Sequence, residues 1–385
     1  MELLIYLILF LLVLIVSSTT NKLLPFLPLP LVQILLGIVI GLFLPNTDFH
    51  LNTELFLALV IGPLLFRESE EADITAILKH WRIIVYLIFP VIFISALSLG
   101  GLAHLLWLSL PLAACLAVGA ALGPTDLVAF ASLSERFSFP KRVSNILKGE
   151  GLLNDASGLV AFQVALTAWT TGAFSLGQAS SSLIFSILGG FLIGFLTAMT
   201  NRFLHTFLLS LRATDIASEL LLELSLPLVT FFLAEEVHVS GIIAVVVAGI
   251  LKASRFKKIT LLEAQVDTVT ETVWHTVNFM LNGSVFVILG MELEMIAEPI
   301  LTNPIYNPLL LLLSLVALTF VLFAIRFVMI YGYYAYRTRR LKKKLNKYMK
   351  DMLLLTFSGV KGTVSIATIL LIPSNLEQDY PLLLF

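Results

Sequence analysis

Five charged residues stand in stretches that are otherwise apolar: Asp126, Glu150, Asp155, Arg326 and Lys361. Asp126 follows Gly123, Pro124 and Thr125, and a Gly-Pro pair inside a helix removes a backbone donor and clashes with the preceding turn. A helix broken there sets Thr125 and Asp126 beside free carbonyls and helix ends, an arrangement that holds small ions in mid-membrane. A plain proline kink capped by Thr125 is the simpler alternative, and it leaves Asp126 without a role. Glu150, Asn154 and Asp155 fall at i, i+4 and i+5, so the first two share a helix face and Asp155 stands about 100° further round. Gly149, Gly151 and Gly158 flank them and let other backbones approach. Oxygen ligands of this kind suit a hard monovalent cation or a proton; a purely structural polar contact between helices is the bland alternative.

Arg326 and Lys361 need a different account. A charge at the bilayer centre costs roughly 2.5 to 3.5 kcal/mol, so it ordinarily has a partner. About ten residues, or ~15 Å of helix, separate Arg326 from the basic run that begins at Arg337, too far for the side chain to snorkel out. Its expected partner is Glu150. Lys361 sits in Gly359-Val360-Lys361-Gly362, where two glycines and a lysine interrupt an apolar helix, so a second break is expected with Lys361 offsetting exposed carbonyls.

The elements that must position these residues are membrane spans. Of 385 residues, 58 % are hydrophobic and 13 % charged, about half the charge that covers a soluble domain, and the mean hydropathy is +0.99. Twelve spans are expected, at 3–16, 29–44, 54–66, 83–106, 108–133, 143–170, 183–209, 216–233, 239–251, 269–291, 309–336 and 352–372, the third and ninth short. Twenty-one of the 24 Lys and Arg fall in alternate loops and none in the opposite loops, which predicts an N-terminus outside the cell. The first 20 residues lack the basic start of a signal peptide and read as a retained span. The ending Tyr380-Pro381-Leu382-Leu383-Leu384-Phe385 reads as the first turn of a truncated thirteenth span, or as an apolar tail at the interface.

The formal net charge of −1 leaves no basic excess for nucleic acid, and the single cysteine, Cys115, excludes an internal disulfide and a cysteine metal site. The basic run from Arg337 to Lys350 suits a topology anchor or contact with anionic lipid. His104, His205, His238 and His275 are scattered and form no metal-ligand pattern. The broken spans are the fifth and the twelfth, seven apart and opposite in direction, as an inverted-repeat transporter requires.

These residues resemble the monovalent cation:proton antiporter-1 family, of the NhaP and sodium/proton exchanger type, over essentially the whole chain. The family's Thr-Asp at the first break is matched by Thr125-Asp126 and its Glu-Ser-Leu-Leu-Asn-Asp string by Glu150-Gly151-Leu152-Leu153-Asn154-Asp155. Its buried arginine is matched by Arg326, and its Gly-x-Arg-Gly by Gly359-Val360-Lys361-Gly362. Gly151 replaces a serine that can ligate the ion, and Lys361 keeps the charge of an arginine but loses its planar fork. The family's Leu-Phe-Glu is here Leu65-Phe66-Arg67-Glu68, with Glu68 the candidate acid; Glu68 and Glu70 otherwise read as a solvated face.

The resemblance implies an all-α, inverted-repeat antiporter of the plasma membrane, typically a homodimer, with two broken, crossing helices. Scaffold and dimerisation helices are expected at 1–80, the first half of the transport domain at 81–171, linker and scaffold helices at 172–300 and its second half at 301–385. It implies exchange of Na⁺, Li⁺ or K⁺ for H⁺ by alternating access, the ion held by Asp155, Asp126 and Thr125, and no cofactor. Ion and proton then compete for Asp155. With the neutral Asn154 beside it, the site gains one charge from either, so one-for-one, electroneutral exchange is expected. An intramembrane aspartyl protease using Asp126 and Asp155 is the alternative from another class, though no Gly-x-Gly-Asp string is present. A cation channel is another, though no Thr-Val-Gly-Tyr-Gly filter is present.

Overall fold

The computed structural model describes residues 2–24, 26–43, 53–107, 110–125, 130, 138–171, 176–211, 215–253, 261–302, 307–340, 342 and 345–359. Asp126, Lys361, Gly362 and the expected thirteenth span lie outside the described residues, as does the side chain, though not the helical backbone, of Asp155.

Every element among the described residues is helical. In chain order they are α1 (Glu2–Leu23), α2 (Leu29–Phe43) and α3, which runs from Thr53–Phe56 through a π-helical turn Leu57–Ile61 into Gly62–Glu71. After α4 (Ile74–Leu78), α5 runs from Trp81–Tyr86 through a second π turn Leu87–Val91 into Ile92–Leu106. Then follow α6 (Leu112–Ala121), α7 (Lys141–Thr171), α8 (Leu176–Ser210), α9 (Ile216–Glu236) and α10 (Gly241–Ala253). The last are α11 (Leu261–Thr302), α12 (Pro308–Arg340), a 3₁₀ turn Leu345–Tyr348 and α13 (Met349–Phe357).

Local chemistry sets several of these boundaries. Asp215 caps α9, accepting from the Ser218 N–H at 2.8 Å while the Ser218 hydroxyl accepts from the Asp215 N–H at 3.2 Å, a reciprocal capping box. The sequence reading runs the fourth span straight through Pro90, whereas the structure widens α5 there into the π turn. The proline has no N–H to donate and its ring crowds the carbonyl a turn earlier, so the chain takes up one extra residue.

Large apolar side chains point outward along the long helices, Phe185, Leu188 and Leu192 of α8 among them. Five segments among the described residues, Trp81–Leu106, Ile184–Ser210, Ile216–Glu236, Thr268–Leu293 and Leu309–Arg340, are long and apolar enough to cross a membrane. The chain is an integral, multi-pass membrane protein.

Its helices fall into two compact units. Unit 1 comprises Met1–Gln33, Thr47–Ile74 and Gly177–Val287. Unit 2 comprises Ile34–Asn46, Thr75–Leu176 and Ile288–Phe385. Within unit 2, α5 and α6 touch backbone to backbone: a Cβ on Gly119 would lie 2.4 Å from the Ala96 carbonyl oxygen, so only glycine allows the approach. A larger core gathers α5, α7, α12 and α13 around Ile84, Leu87, Ile146, Ile330, Tyr334 and Met352.

Candidate ion site

The site is built in unit 2 on α7, which packs antiparallel to α12. Two polar crossings eight residues apart on each helix fix the register: Glu150 meets Arg326, and Arg142 meets Tyr334. At the first crossing the guanidinium donates from Nη1 to Glu150 Oε1 at 2.7 Å and from Nη2 to Oε2 at 2.8 Å, a bidentate pair with side chains 3 % and 1 % exposed. Its remaining edge is used as well, because Nε donates to the Leu355 carbonyl near the end of α13 at 3.0 Å. A Cβ on Gly359 would lie 2.5 Å from that Nε, so the residue past the end of α13 has to be this small.

At the second crossing Arg142 donates to the Tyr334 hydroxyl at 3.3 Å and faces Asp351 at 3.6 Å. Its guanidinium lies 5.5 and 5.0 Å from the ring centres of Tyr334 and Tyr348. The short helix α13 is thus pinned in its first turn by Arg142 and near its end by Arg326.

A chain of hydrogen bonds leads from this pair to the first break. Helix α6 ends at Ala121, and Gly123, Pro124 and Thr125 leave helical geometry. Thr125 Oγ1 donates to Glu150 Oε1 at 3.3 Å and accepts from Asn154 Nδ2 at 2.5 Å, and the same Nδ2 donates to the Thr125 carbonyl at 3.1 Å. A carbonyl can only accept, so the Asn154 amide is held with its nitrogen toward Thr125. Its Oδ1, fully buried, has no hydrogen-bond partner among the described residues.

The break is seated on α7 by shape as well. A Cβ on Gly158 would lie 2.1 Å from Pro124 Cγ, so the proline ring occupies the space that a side chain would take. Ser157, the residue before Gly158, donates from Oγ to the Asn154 carbonyl one turn back at 2.8 Å and lies 3.2 Å from the Ile88 carbonyl in the π turn of α5. Gly151 is buried on the same helix.

The structure therefore brings Thr125, Glu150, Asn154 and Arg326 into one buried array, with Gly123, Pro124 and Gly359 at the ends of the helices that meet there. The backbone of Asp155 is the next step of α7 after Asn154. Ser157, Arg142 and the Leu355 carbonyl join this array without having been singled out in the sequence; Pro90 was the available signal for the Ser157 contact.

Glu68 and Glu70 belong to unit 1, and Glu70 is no solvated acid: its side chain is 16 % exposed, 2.9 Å from Arg67 Nη1 and 3.5 Å from Lys252 Nζ. Arg67 reaches Glu71 at 2.6 Å, Lys252 reaches Glu223 at 2.7 Å, and the Trp274 indole donates to Glu223 at 2.8 Å. Glu68 is partly buried at the same turn of α3. The solvated-face alternative comes from α3 alone, without the carboxylate and lysine that α9 and α10 bring to it. One turn of α9 away, Glu219 faces His205 of α8 at 3.2 Å.

An all-helical membrane protein with a self-neutralised ion pair buried beside the end of an apolar helix is the class that this geometry defines. The sodium/hydrogen exchanger transmembrane family matches residues 7–385, and the chain belongs to that family. Sodium, potassium, lithium and rubidium/H⁺ antiporters of Bacillus pumilus and Bacillus subtilis are each 36 % identical to it, over 97 % and 95 % of this chain but 56 % and 55 % of their own length. The chain thus spans little more than half of those relatives. An uncharacterized Na⁺/H⁺ exchanger of Escherichia coli is 30 % identical over 97 % of this chain and 70 % of its own. In fold, the chain is similar to the sodium proton antiporter MjNhaP1 of Methanocaldococcus jannaschii, with a TM-score of 0.68 at 18 % identity over 99 % of this chain and 88 % of that one. None of these relatives is named as a protease or a channel.

Proposed function

We propose that the chain is the membrane part of a secondary antiporter that exchanges Na⁺, or Li⁺ or K⁺, for H⁺ by alternating access. The observation that carries the reading is the buried Asn154 Oδ1. Its amide nitrogen is fixed by Thr125, so this acceptor cannot turn away, and a buried acceptor without a donor is costly, by about 1 to 3 kcal/mol. A cation at the break and a protonated carboxyl each supply what it lacks. The Glu150–Arg326 pair is neutral as a unit, so it holds the helices without setting the charge of the site.

In this reading the ion is held by Asp155, Asp126 and Thr125, with Asn154 Oδ1 facing it, and ion and proton compete for Asp155. Asn154 positions Thr125 and adds no charge, which supports one-for-one, electroneutral exchange. The same reading takes the chain as an inverted repeat of twelve spans, with Lys361 and Gly362 assigned to its second broken helix. Transport helices at 81–171 and 301–385 work beside scaffold helices at 1–80 and 172–300, in a plasma-membrane homodimer with the N-terminus outside.

Everted vesicles carrying the protein test this. Na⁺ should dissipate an imposed pH gradient, Asp155→Ala should abolish the effect, and the rate should not follow an imposed membrane potential. Dissipation that survives Asp155→Ala sinks the mechanism, and a voltage-dependent rate sinks electroneutrality. Repeating the assay cation by cation fixes the substrate.

A further inference from the structure

In unit 2 the start of α5, the start of α7, the end of α12 and the start of α13 converge, because Ile84, Val143, Ile146, Tyr334 and Met352 share one core. Those ends carry Arg82, Lys141, Arg142, Arg337, Arg339 and Arg340, and the turn that follows α12 adds Lys342. Among the described residues at these ends, Asp351 is the carboxylate, and it is engaged by Arg142. The others have no carboxylate partner among the described residues. Arg82 instead stacks on Trp81, 5.6 Å from its ring, and that tryptophan is 54 % exposed; Tyr336, beside Arg337, is 69 % exposed.

The contrast with unit 1 is informative, because there Arg67 and Lys252 are each met by two carboxylates of their own unit. Among the described residues unit 2 leaves a basic face uncompensated, edged by the two residue types that settle at a membrane interface. The field of that face is felt at His80, whose pKa is held below the usual 6.5 first by burial and then by Arg142, Arg337 and Lys79.

We propose that this face seats the headgroups of anionic phospholipids, with Arg82, Arg337, Arg339, Arg340 and Lys342 supplying the charge and Trp81 and Tyr336 lodging at the interface. Anionic lipid fits better than a soluble partner: the basic side chains are spread around several converging helix ends rather than gathered in one pocket, and exposed aromatic rings flank them. Each basic residue near such a surface strengthens binding roughly fivefold, so removing three weakens it on the order of 100-fold.

The purified full chain in neutral detergent tests this by thermal melting with added lipid. Phosphatidylglycerol should raise the melting temperature, and phosphatidylcholine or inorganic phosphate should not. The combined variant Arg339→Gln, Arg340→Gln, Lys342→Gln should need on the order of 100-fold more phosphatidylglycerol for the same shift. Arg339→Lys with Arg340→Lys should respond like the unaltered chain. The proposal is overturned if phosphatidylcholine stabilises equally, if phosphate alone reproduces the shift, or if the triple Gln variant responds at the original lipid concentration. Melting reads no transport, so failure here leaves the ion-exchange reading untouched.

Discussion

In unit 2 one guanidinium meets one carboxylate, Arg326 on Glu150, with side chains 3 % and 1 % exposed. In unit 1 the charges are shared: Lys252 lies between Glu223 and Glu70, Glu70 also takes Arg67, and Arg67 reaches on to Glu71, which is 58 % exposed. The first is a closed pair with no second charge in reserve among the described residues, only the Thr125 hydroxyl and the Leu355 carbonyl. The second is a network in which Arg67, Glu70, Lys252 and Glu223 each have a second partner and some access to water. A closed pair fixes geometry sharply but fails when either member goes, whereas a network degrades gradually. The closed pair stands where α6, α7, α12 and α13 meet, at the proposed ion site, where position matters most.

The largest expected effect breaks that pair. Arg326→Gln leaves Glu150 buried with Thr125 as its remaining donor, and should destabilise the protein by about 3 to 5 kcal/mol. Replacing both, Glu150→Leu with Arg326→Leu, should recover most of the loss in a melting experiment, because neither charge is then stranded. If Arg326→Gln costs no more than a charge deletion in unit 1, the distinction between closed pair and network is wrong.

The intermediate effect sharpens the other side. Glu223 accepts the Trp274 indole through Oε1 and faces Lys252 through Oε2. Glu223→Gln keeps an acceptor for the indole and loses only the ion pair, which Glu70 partly replaces, so about 1 kcal/mol is expected. Glu223→Leu loses both and should cost about 2 kcal/mol, with a change in tryptophan fluorescence that the Gln variant lacks. Equal losses for the two variants would mean that the indole bond contributes nothing.

The parts legible in the sequence are those where composition makes a residue rare. An arginine amid Phe323, Ala324, Ile325, Phe327 and Val328 demands a carboxylate, and few acids sit in apolar helix. The Gly-Pro pair likewise marks a place where helix must stop, and α6 has ended by Leu122. What joins them was not legible: Thr125 reaches Glu150 across 25 residues that include the break, and no periodicity carries through such a turn. The acids of α9 were missed for another reason. Glu219 and Glu223 lie one helical turn apart inside an expected span, and nothing in α9 alone marks them out until α8, α10 and α11 bring His205, Lys252 and Trp274 to them. The two units each draw on three separate stretches of chain, which a composition that hardly varies along the sequence does not reveal.

The smallest effect concerns pH and again separates the units. His80 opens α5, its carbonyl accepting from the Ile83 and Ile84 N–H groups at 3.1 and 3.2 Å. Burial, and then Arg142, Arg337 and Lys79, keep its pKa below the 6.5 of the unfolded chain. The unfolded state therefore takes up a proton before the folded state does. Stability from neutral His80 is complete above pH ~6.5 and declines as pH falls through the lowered folded value. Asp215, the cap of α9 in unit 1, is lowered by its bonds to Ser218, so its contribution is lost only in stronger acid, below the usual ~3.9 of an aspartate. Protection from hydrogen exchange at the start of α5, taken against the intrinsic rate at each pH, should thus fall between pH 7 and 5.5 while the start of α9 does not follow Asp215 in that range. His80→Gln should flatten the α5 response and leave α9 unchanged. An unaltered α5 slope in His80→Gln would show that the basic face of unit 2 does not act on stability through this histidine.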